Sequence, residues 1–355
     1  MTKKLFGLLI IGLFLLSGCG KVSEKDALNK FMKDVDSAKS YYLEGKLDIV
    51  NNEDIYTYDV KASYKKDNNY KVELINTVNS HEQIILRNNT GVYVISPKIN
   101  KSFKFQSDWP YNNSQVYLLD PIVDDIKNDD SKKIEKNGDG FKITVGANYP
   151  NNPKLTHEEI FLDKKGNILK VVVLNSDGNN EITMTFNKID YGKKFDDSYF
   201  ELREIIDVQD DNSNENINNQ NENNNSNDNS NTNSDGKTKE TSTIEDVIYP
   251  MYLPVNTYLT NTEKVDKEDG QRLILTFDGD NPFMLIEETV SYEKEHLIVP
   301  TYGDLELMAS SVATLSDNSI NWIDNNIEYY VVSDKLSKSE LLNIARSISV
   351  LPVSK

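Results

Sequence analysis

The residue types that do chemistry are scarce in this sequence, and their spacing removes most of what they could do. There is one Cys and there are three His in 355 residues. One Cys can form neither an internal disulfide nor a thiolate metal site, and three scattered His cannot build most imidazole sites. His81-Glu82 and His157-Glu158-Glu159 begin like a zinc-protease motif. That motif needs a second His four residues on, carried on a helix, and neither stretch has it. Both fall at the starts of strand-like runs and read as exposed polar strand ends. Asp278-Gly279-Asp280 lacks the alternating acids and closing Glu of a calcium loop. No Gly-x-Ser-x-Gly elbow and no Gly-rich phosphate loop occurs. The expectation is a protein without a metal, a cofactor or a catalytic set. Asp+Glu 57 against Lys+Arg 39 gives a net charge of −18, which leaves no cationic surplus for nucleic acid.

Cys19 carries the one definite chemistry. Lys3 and Lys4 precede an apolar run from Leu5 to Leu16. That run is too short for a bilayer core, which takes about 20 helical residues, and it reads as an export signal over residues 1–18. It ends in Leu16-Ser17-Gly18-Cys19, which resembles a bacterial lipobox. In that motif the Cys thiol receives a diacylglycerol, and two acyl chains meet the condition for stable anchoring. Cys19 is then the first mature residue, held on the extracytoplasmic face of the cell membrane. The bland alternative is an ordinary secretory signal with a chance Cys.

Binding residues concentrate in residues 81–119. Tyr93, Phe103, Phe105, Trp109, Tyr111 and Tyr117 gather around the loop Asp108-Trp109-Pro110-Tyr111-Asn112. They pack a sheet against its helical insertion, or Trp109 and Tyr111 stand at the mouth of an apolar groove and touch a ligand or a protein partner. Arg87 follows Ile84-Ile85-Leu86 in a strand. Facing a concavity it could bind a lipid head group or a partner's carboxylate; facing solvent it is an ordinary strand end.

The elements that must position these residues read as follows. Ser23 can cap a helix, with Asp26 three residues on, and Leu28, Phe31, Met32, Val35 and Ala38 recur at helical spacing. From Tyr42 the period becomes two, with Leu43, Gly45, Leu47 and Ile49 alternating, and short alternating runs with turn residues between them continue to about residue 105. Ser114 caps a short helical insertion, restarted at Asp120-Pro121 with Pro in first position. Five more strand-like runs follow (132–136, 141–146, 158–162, 169–175 and 181–190), making about eleven strands in one antiparallel sheet. Between Asp211 and Asp235, 13 of 25 residues are Asn, a composition with little to bury against its ordering entropy. The chain therefore divides into a signal (1–18), an anchored domain (19–205), an Asn-rich disordered linker (206–243) and a small α+β domain (244–355). In that last domain residues 272–277, 283–292 and 328–333 read as strands, and Ser337-Lys338-Ser339-Glu340 is a capping box before the final helix.

The lipobox at Cys19, the first helix, the 81–119 block with Lys101-Ser102-Phe103-Lys104-Phe105-Gln106-Ser107-Asp108-Trp109-Pro110-Tyr111-Asn112, and the later hairpins resemble the LolA-like sporulation and spore germination lipoproteins of spore-forming firmicutes. The likeness spans about residues 23–202. It implies a mainly β fold: an unclosed antiparallel barrel around an apolar concavity, lidded by helices. It implies no catalytic residues, and as occupant either an acyl chain or a protein partner such as a cortex-modifying amidase. The permanent anchor and the second domain depart from a shuttling carrier. The leading expectation is a membrane-anchored, non-enzymatic binding protein of sporulation or germination, placed on the cell membrane or between forespore and mother cell. Its rivals are a two-domain envelope stress sensor acting on a transmembrane signalling protein and, behind that, a cell-wall enzyme.

Overall fold

The computed structural model describes residues 23–206, 243–291 and 295–348. Cys19, the stretch 1–18 expected as an export signal and all but the end residues of the 206–243 stretch expected as a linker lie outside the described residues. Among the described residues no helix is long and apolar enough to cross a membrane.

Helix α1 (Glu24–Ser37) starts on a complete capping box, with Ser23 and Asp26 each accepting the other's backbone N–H at 3.2 Å. Strands β1 (Ser40–Asn51), β2 (Asp54–Lys65), β3 (Asn69–Asn76), β4 (Glu82–Asn88), β5 (Gly91–Ser96) and β6 (Lys101–Phe105) then run as consecutive antiparallel hairpins. Helix α2 (Leu119–Asn128) interrupts them. Strands β7 (Lys133–Asn137), β8 (Gly140–Gly146), β9 (Leu155–Leu162), β10 (Ile168–Asn175) and β11 (Asn180–Tyr191) return so that β11 pairs with β1. The sheet order is β6-β5-β4-β3-β2-β1-β11-β10-β9-β8-β7, and β7 does not close onto β6. This is the unclosed, mainly β architecture with helices on one face that the sequence leads one to expect.

Alternation along β1 places Tyr41, Leu43, Leu47 and Ile49 in the core with Phe31 and Val35 of α1 and Leu119, Ile122 and Ile126 of α2. Gly45 is needed there for a steric reason. The β1–β11 register shifts between Glu44 and Gly45, and a Cβ on Gly45 would lie 2.3 Å from the Thr185 carbonyl oxygen. Helix α2 begins at Leu119, so Pro121 is its third residue and not its first. It still sits in the first turn, where a missing N–H costs no intrahelical bond. The opposite face of β4 and β5 is covered by Phe200 and Ile205, which pack on Ile84, Leu86, Tyr93 and Ile95. Both faces of this strand pair are buried, which explains the unbroken Ile84-Ile85-Leu86.

The second sheet comprises β12 (Thr257–Lys267), β13 (Gly270–Gly279), β14 (Phe283–Thr289), β16 (Asp304–Leu307), β17 (Val312–Leu315), β18 (Ser319–Asp324) and β19 (Ile327–Val332), in the order β12-β13-β14-β19-β18-β17-β16. Helix α3 (Lys338–Ser347) opens on the Ser337/Glu340 capping box and buries Leu341, Leu342, Ile344 and Ala345 against it. One strand belongs elsewhere. β15 (Leu297–Thr301) leaves this sheet and pairs parallel with β6, becoming the twelfth strand of the first. Leu305, Ala309 and Val312 likewise join the first core. Tyr58 Oη donates to the Ala309 carbonyl at 2.7 Å, and the Val312 N–H donates to Gln83 Oε1 at 2.8 Å, both bonds buried. The first core thus takes in residues of the second sheet, which also keeps a separate core of its own against α3.

Candidate functional site

The hairpin registers align one transverse row of residues. Tyr191 pairs with Tyr41, Tyr41 with Tyr64, Tyr64 with Tyr70, and Tyr70 with Arg87. Rings of Tyr41 and Tyr64 lie 5.1 Å apart, and those of Tyr64 and Tyr70 5.0 Å. Directly opposed strand residues have side chains close enough to interact, so the register builds the row.

The row is anchored at one end and displayed at the other. At the anchored end Tyr41 Oη donates to Asp120 Oδ2 at 3.0 Å and accepts the Leu119 N–H at 3.2 Å, which ties the first turn of α2 to the sheet. Burial pushes the Asp120 carboxyl up to about 6, against the pull of the Tyr41 bond, with the neighbouring Asp124 and Asp36 charges adding to the rise. Burial, then the Asp120 charge, raise the Tyr41 and Tyr70 hydroxyls well above their ordinary range. These hydroxyls stay protonated and serve as hydrogen-bond donors, not as bases.

At the displayed end the structure brings Arg87, Trp109 and Tyr111 together. Arg87 Nη1 donates to the Trp109 carbonyl, and its guanidinium lies 5.3 Å from the centre of the Tyr111 ring. Trp109 is 0% exposed, edge-on to Tyr70 at 6.0 Å. It sits in the core beneath the loop rather than at a groove mouth. Tyr111 is 48% exposed, and its hydroxyl bonds Tyr70 Oη and Asn68 Oδ1, each at 2.9 Å. The loop is closed by the Trp109 N–H on Ser107 Oγ and the Tyr111 N–H on the Asp108 carbonyl. A cation over an aromatic face adds about 0.5–2 kcal/mol depending on desolvation. The arrangement holds an aromatic face and a guanidinium rigid at the surface: it is equipped to bind and has no nucleophile–base pair.

Sequence reasoning singled out Arg87, Trp109 and Tyr111 and missed the tyrosine row behind them. A signal existed, since Tyr41 and Tyr64 stand equidistant from the turn at Asn52-Glu53. It also missed the buried carboxylates. Glu158, expected as an exposed strand end, is fully buried; burial and the Asp125 charge raise it, and Tyr149 Oη approaches at 3.4 Å. His157 points to the opposite face and is exposed, as side-chain alternation on β9 requires. His81 is partly buried, which holds its imidazole below the ordinary range. Among the described residues no three His, Cys, Asp or Glu side chains gather as metal ligands.

Two cavities close to the core are small. One of about 10 Å³ lies between Phe103, Phe105 and Trp322, and one of about 30 Å³ between Tyr117, Tyr149 and Leu305. Each has room for about one or two waters.

Residues 2–200 match the family model described as Sporulation protein YdcC-like. Over 351 residues, 98% of this chain and 97% of the relative, the sequence is 29% identical to the Sporulation protein YdcC of Bacillus subtilis (strain 168). Among solved structures, the MucA/MucB complex of Pseudomonas aeruginosa is similar at 13% identity and TM-score 0.30, over 92% of this chain and 96% of that one. A LolA superfamily protein of Nitrosomonas europaea is similar at 11% identity and TM-score 0.31, over 52% and 99%. The family match covers β1 to β11 with α1 and α2; the Bacillus relative extends through β15 and the second sheet.

Proposed function

This chain belongs to the Sporulation protein YdcC-like family, and from that membership we propose that it is a lipid-anchored, non-enzymatic protein of the cell envelope that acts in sporulation by binding a protein partner. The observation that carries the binding role is the half-exposed Tyr111, braced by Arg87, Tyr70 and Asn68 at the end of an aromatic row. A rigid aromatic beside an arginine is the composition of an interface anchor. The interior between the helices and the first sheet is filled by core side chains, which favours a protein partner at the surface over an acyl chain within it. A cortex-modifying amidase is the partner class that the sequence resemblance suggests. Anchoring rests on the lipobox at Cys19, with Arg87, Trp109 and Tyr111 forming the partner face and its support.

The test is genetic and biochemical together. Cells carrying Tyr111→Ala in the full chain are scored for heat-resistant spores and for proteins crosslinked to the chain during sporulation. Loss of both heat resistance and one specific crosslink, with normal chain abundance, is expected. Wild-type spores and an unchanged crosslink pattern overturn the partner face. Cys19→Ala is expected to release the chain from membranes and abolish labelling by a palmitate analogue; retention of the label overturns the anchor.

A further inference from the structure

Where the second sheet meets the turn end of the first, a cleft of about 770 Å³ opens. Its walls are the β1–β2 turn, the loop before β9, the β10–β11 turn and the last turn of α3. Ile49, Leu155, Ile182 and Ala309 give it a nearly buried apolar floor. Its rim is made of amides. Among the described residues, no hydrogen bond uses the side chains of Asn52, Asn152, Asn180 or Asn343. Arg346, partly buried, lines both this cleft and the 30 Å³ cavity beside it. Its guanidinium likewise has no hydrogen bond and no ion pair within 4 Å among the described residues. The two carboxylates whose charge reaches it are already held by asparagines: Glu306 by Asn151 at 2.5 Å and Glu181 by Asn175 at 2.6 Å. A guanidinium carries five donors and keeps its charge, and no Arg346 nitrogen is shut off from solvent, so its donors open onto the cleft, where a ligand's acceptors can take the place of water.

We propose that this cleft binds a cell-wall type glycan, an N-acetylated sugar bearing a carboxylate, with the carboxylate on Arg346 and the hydroxyl and acetamido groups on the asparagine amides. The size suits a small ligand, for which pockets run to about 300–1,000 Å³. The lining holds Lys154 and Arg346 together with Asp177 and Glu181, so it has no net cationic surplus, which disfavours a dianionic phosphate. The walls are turns and a helix end, so they offer no open strand edge on which to lay an extended peptide. Tyr252, 40% exposed at the rim, gives a flat face for a sugar ring. The site lies apart from the Tyr111 face and stands or falls independently of it.

The test titrates the full chain in detergent micelles, by calorimetry, with the disaccharide N-acetylglucosaminyl-N-acetylmuramic acid and with chitobiose, which lacks the carboxylate. Binding of the acidic disaccharide at about millimolar concentration or tighter is expected, with chitobiose weaker by about tenfold. Arg346→Gln should bring the acidic sugar down to the chitobiose level and leave chitobiose unchanged. Asn152→Asp, at a partly buried loop position, should weaken both sugars and the acidic one more, because the new charge repels its carboxylate, and it serves if the arginine variant fails to fold. The proposal is overturned by no heat from the acidic sugar at about 10 mM, by Asn152→Asp and Arg346→Gln both binding the acidic sugar as tightly as the unaltered chain, or by a sugar-free acidic tetrapeptide that binds as tightly with the same dependence on Arg346.

Discussion

Arg87 and Arg346 are both partly buried, and they meet opposite conditions. Arg87 donates to the Trp109 carbonyl and rests over the Tyr111 ring. Arg346 stands in a cleft where the nearest carboxylates are engaged by asparagines. The contrast separates two uses of the same side chain. An arginine whose donors are met by its own chain fixes the shape of a surface, and what that surface displays is its neighbour, Tyr111. An arginine without acceptors in its own chain leaves its donors facing the cleft, where solvent or a ligand can take them. Removing each should therefore affect different properties, and the molecule can be tested on that difference.

The largest effect is expected at the residue that Arg87 holds. Trp109→Ala removes a fully buried indole from between Tyr70 and the loop, and should cost about 3–5 kcal/mol in urea unfolding. A cost under 1 kcal/mol would mean that the loop packs as a surface flap and that Tyr111 is not rigidly presented. Arg87→Gln comes next. It forfeits a charge-assisted bond and the ring contact, and should cost about 1.5–3 kcal/mol. Arg87→Lys should recover little of this, because a compact ammonium cannot both donate to the Trp109 carbonyl and lie flat on Tyr111.

The sequence disclosed the first of these regions far better than the second. Strand alternation is local, so β1 to β11 could be read one by one, and the aromatic density of residues 81–119 marked the loop. The row of Tyr41, Tyr64 and Tyr70 needed register, which is set jointly by several turns. In the second sheet β12 is exposed along nearly its whole length, so no alternation marks it. β15 is five residues long and pairs with a strand nearly 200 positions away. Such pairing leaves no periodic trace. The cleft around Arg346 is assembled from three turns and a helix end on different elements, and its asparagines, apart from Asn343 on α3, read alone as turn chemistry.

Asp120 carries the opposite charge in a partly buried position, one that the group can shed by taking up a proton. Its folded pKa, about 6, lies above the ordinary 3.8. A raised acid binds its proton more tightly when folded, so its contribution to stability is fully present below pH 3.8 and is lost as pH rises through 6. Asp120→Asn should therefore stabilise the chain by about 1–2 kcal/mol at pH 8, less than the full shift implies because the first turn of α2 favours a carboxylate. At pH 3.5 the gain should vanish. Denaturant melts of both proteins at the two pH values decide the matter, and an equal difference at both would show that the Asp120 charge costs the fold nothing.

Arg346→Gln is the smallest effect and the most discriminating, because its sign should differ from that of Arg87→Gln. Glutamine keeps an amide in the cleft and removes a charge that no described side chain bonds. Breaking a bonded pair strands its partner, whereas deleting an unbonded ion strands nothing and relieves its desolvation. The backbone carbonyl of Arg346, which accepts Asn51 Nδ2 at 3.0 Å, survives the change and keeps α3 tied to the β1–β2 turn. Attraction to Glu306 and Glu181 offsets part of the relief, since both carboxylates favour the charged guanidinium. The balance should be a stability change within about 1 kcal/mol of zero, on the stabilising side, in urea unfolding at pH 7. A loss of more than about 2 kcal/mol would mean that Arg346 is bonded within the folded chain after all. The two arginines would then do the same work, and the cleft would have no unmet donor to offer a ligand.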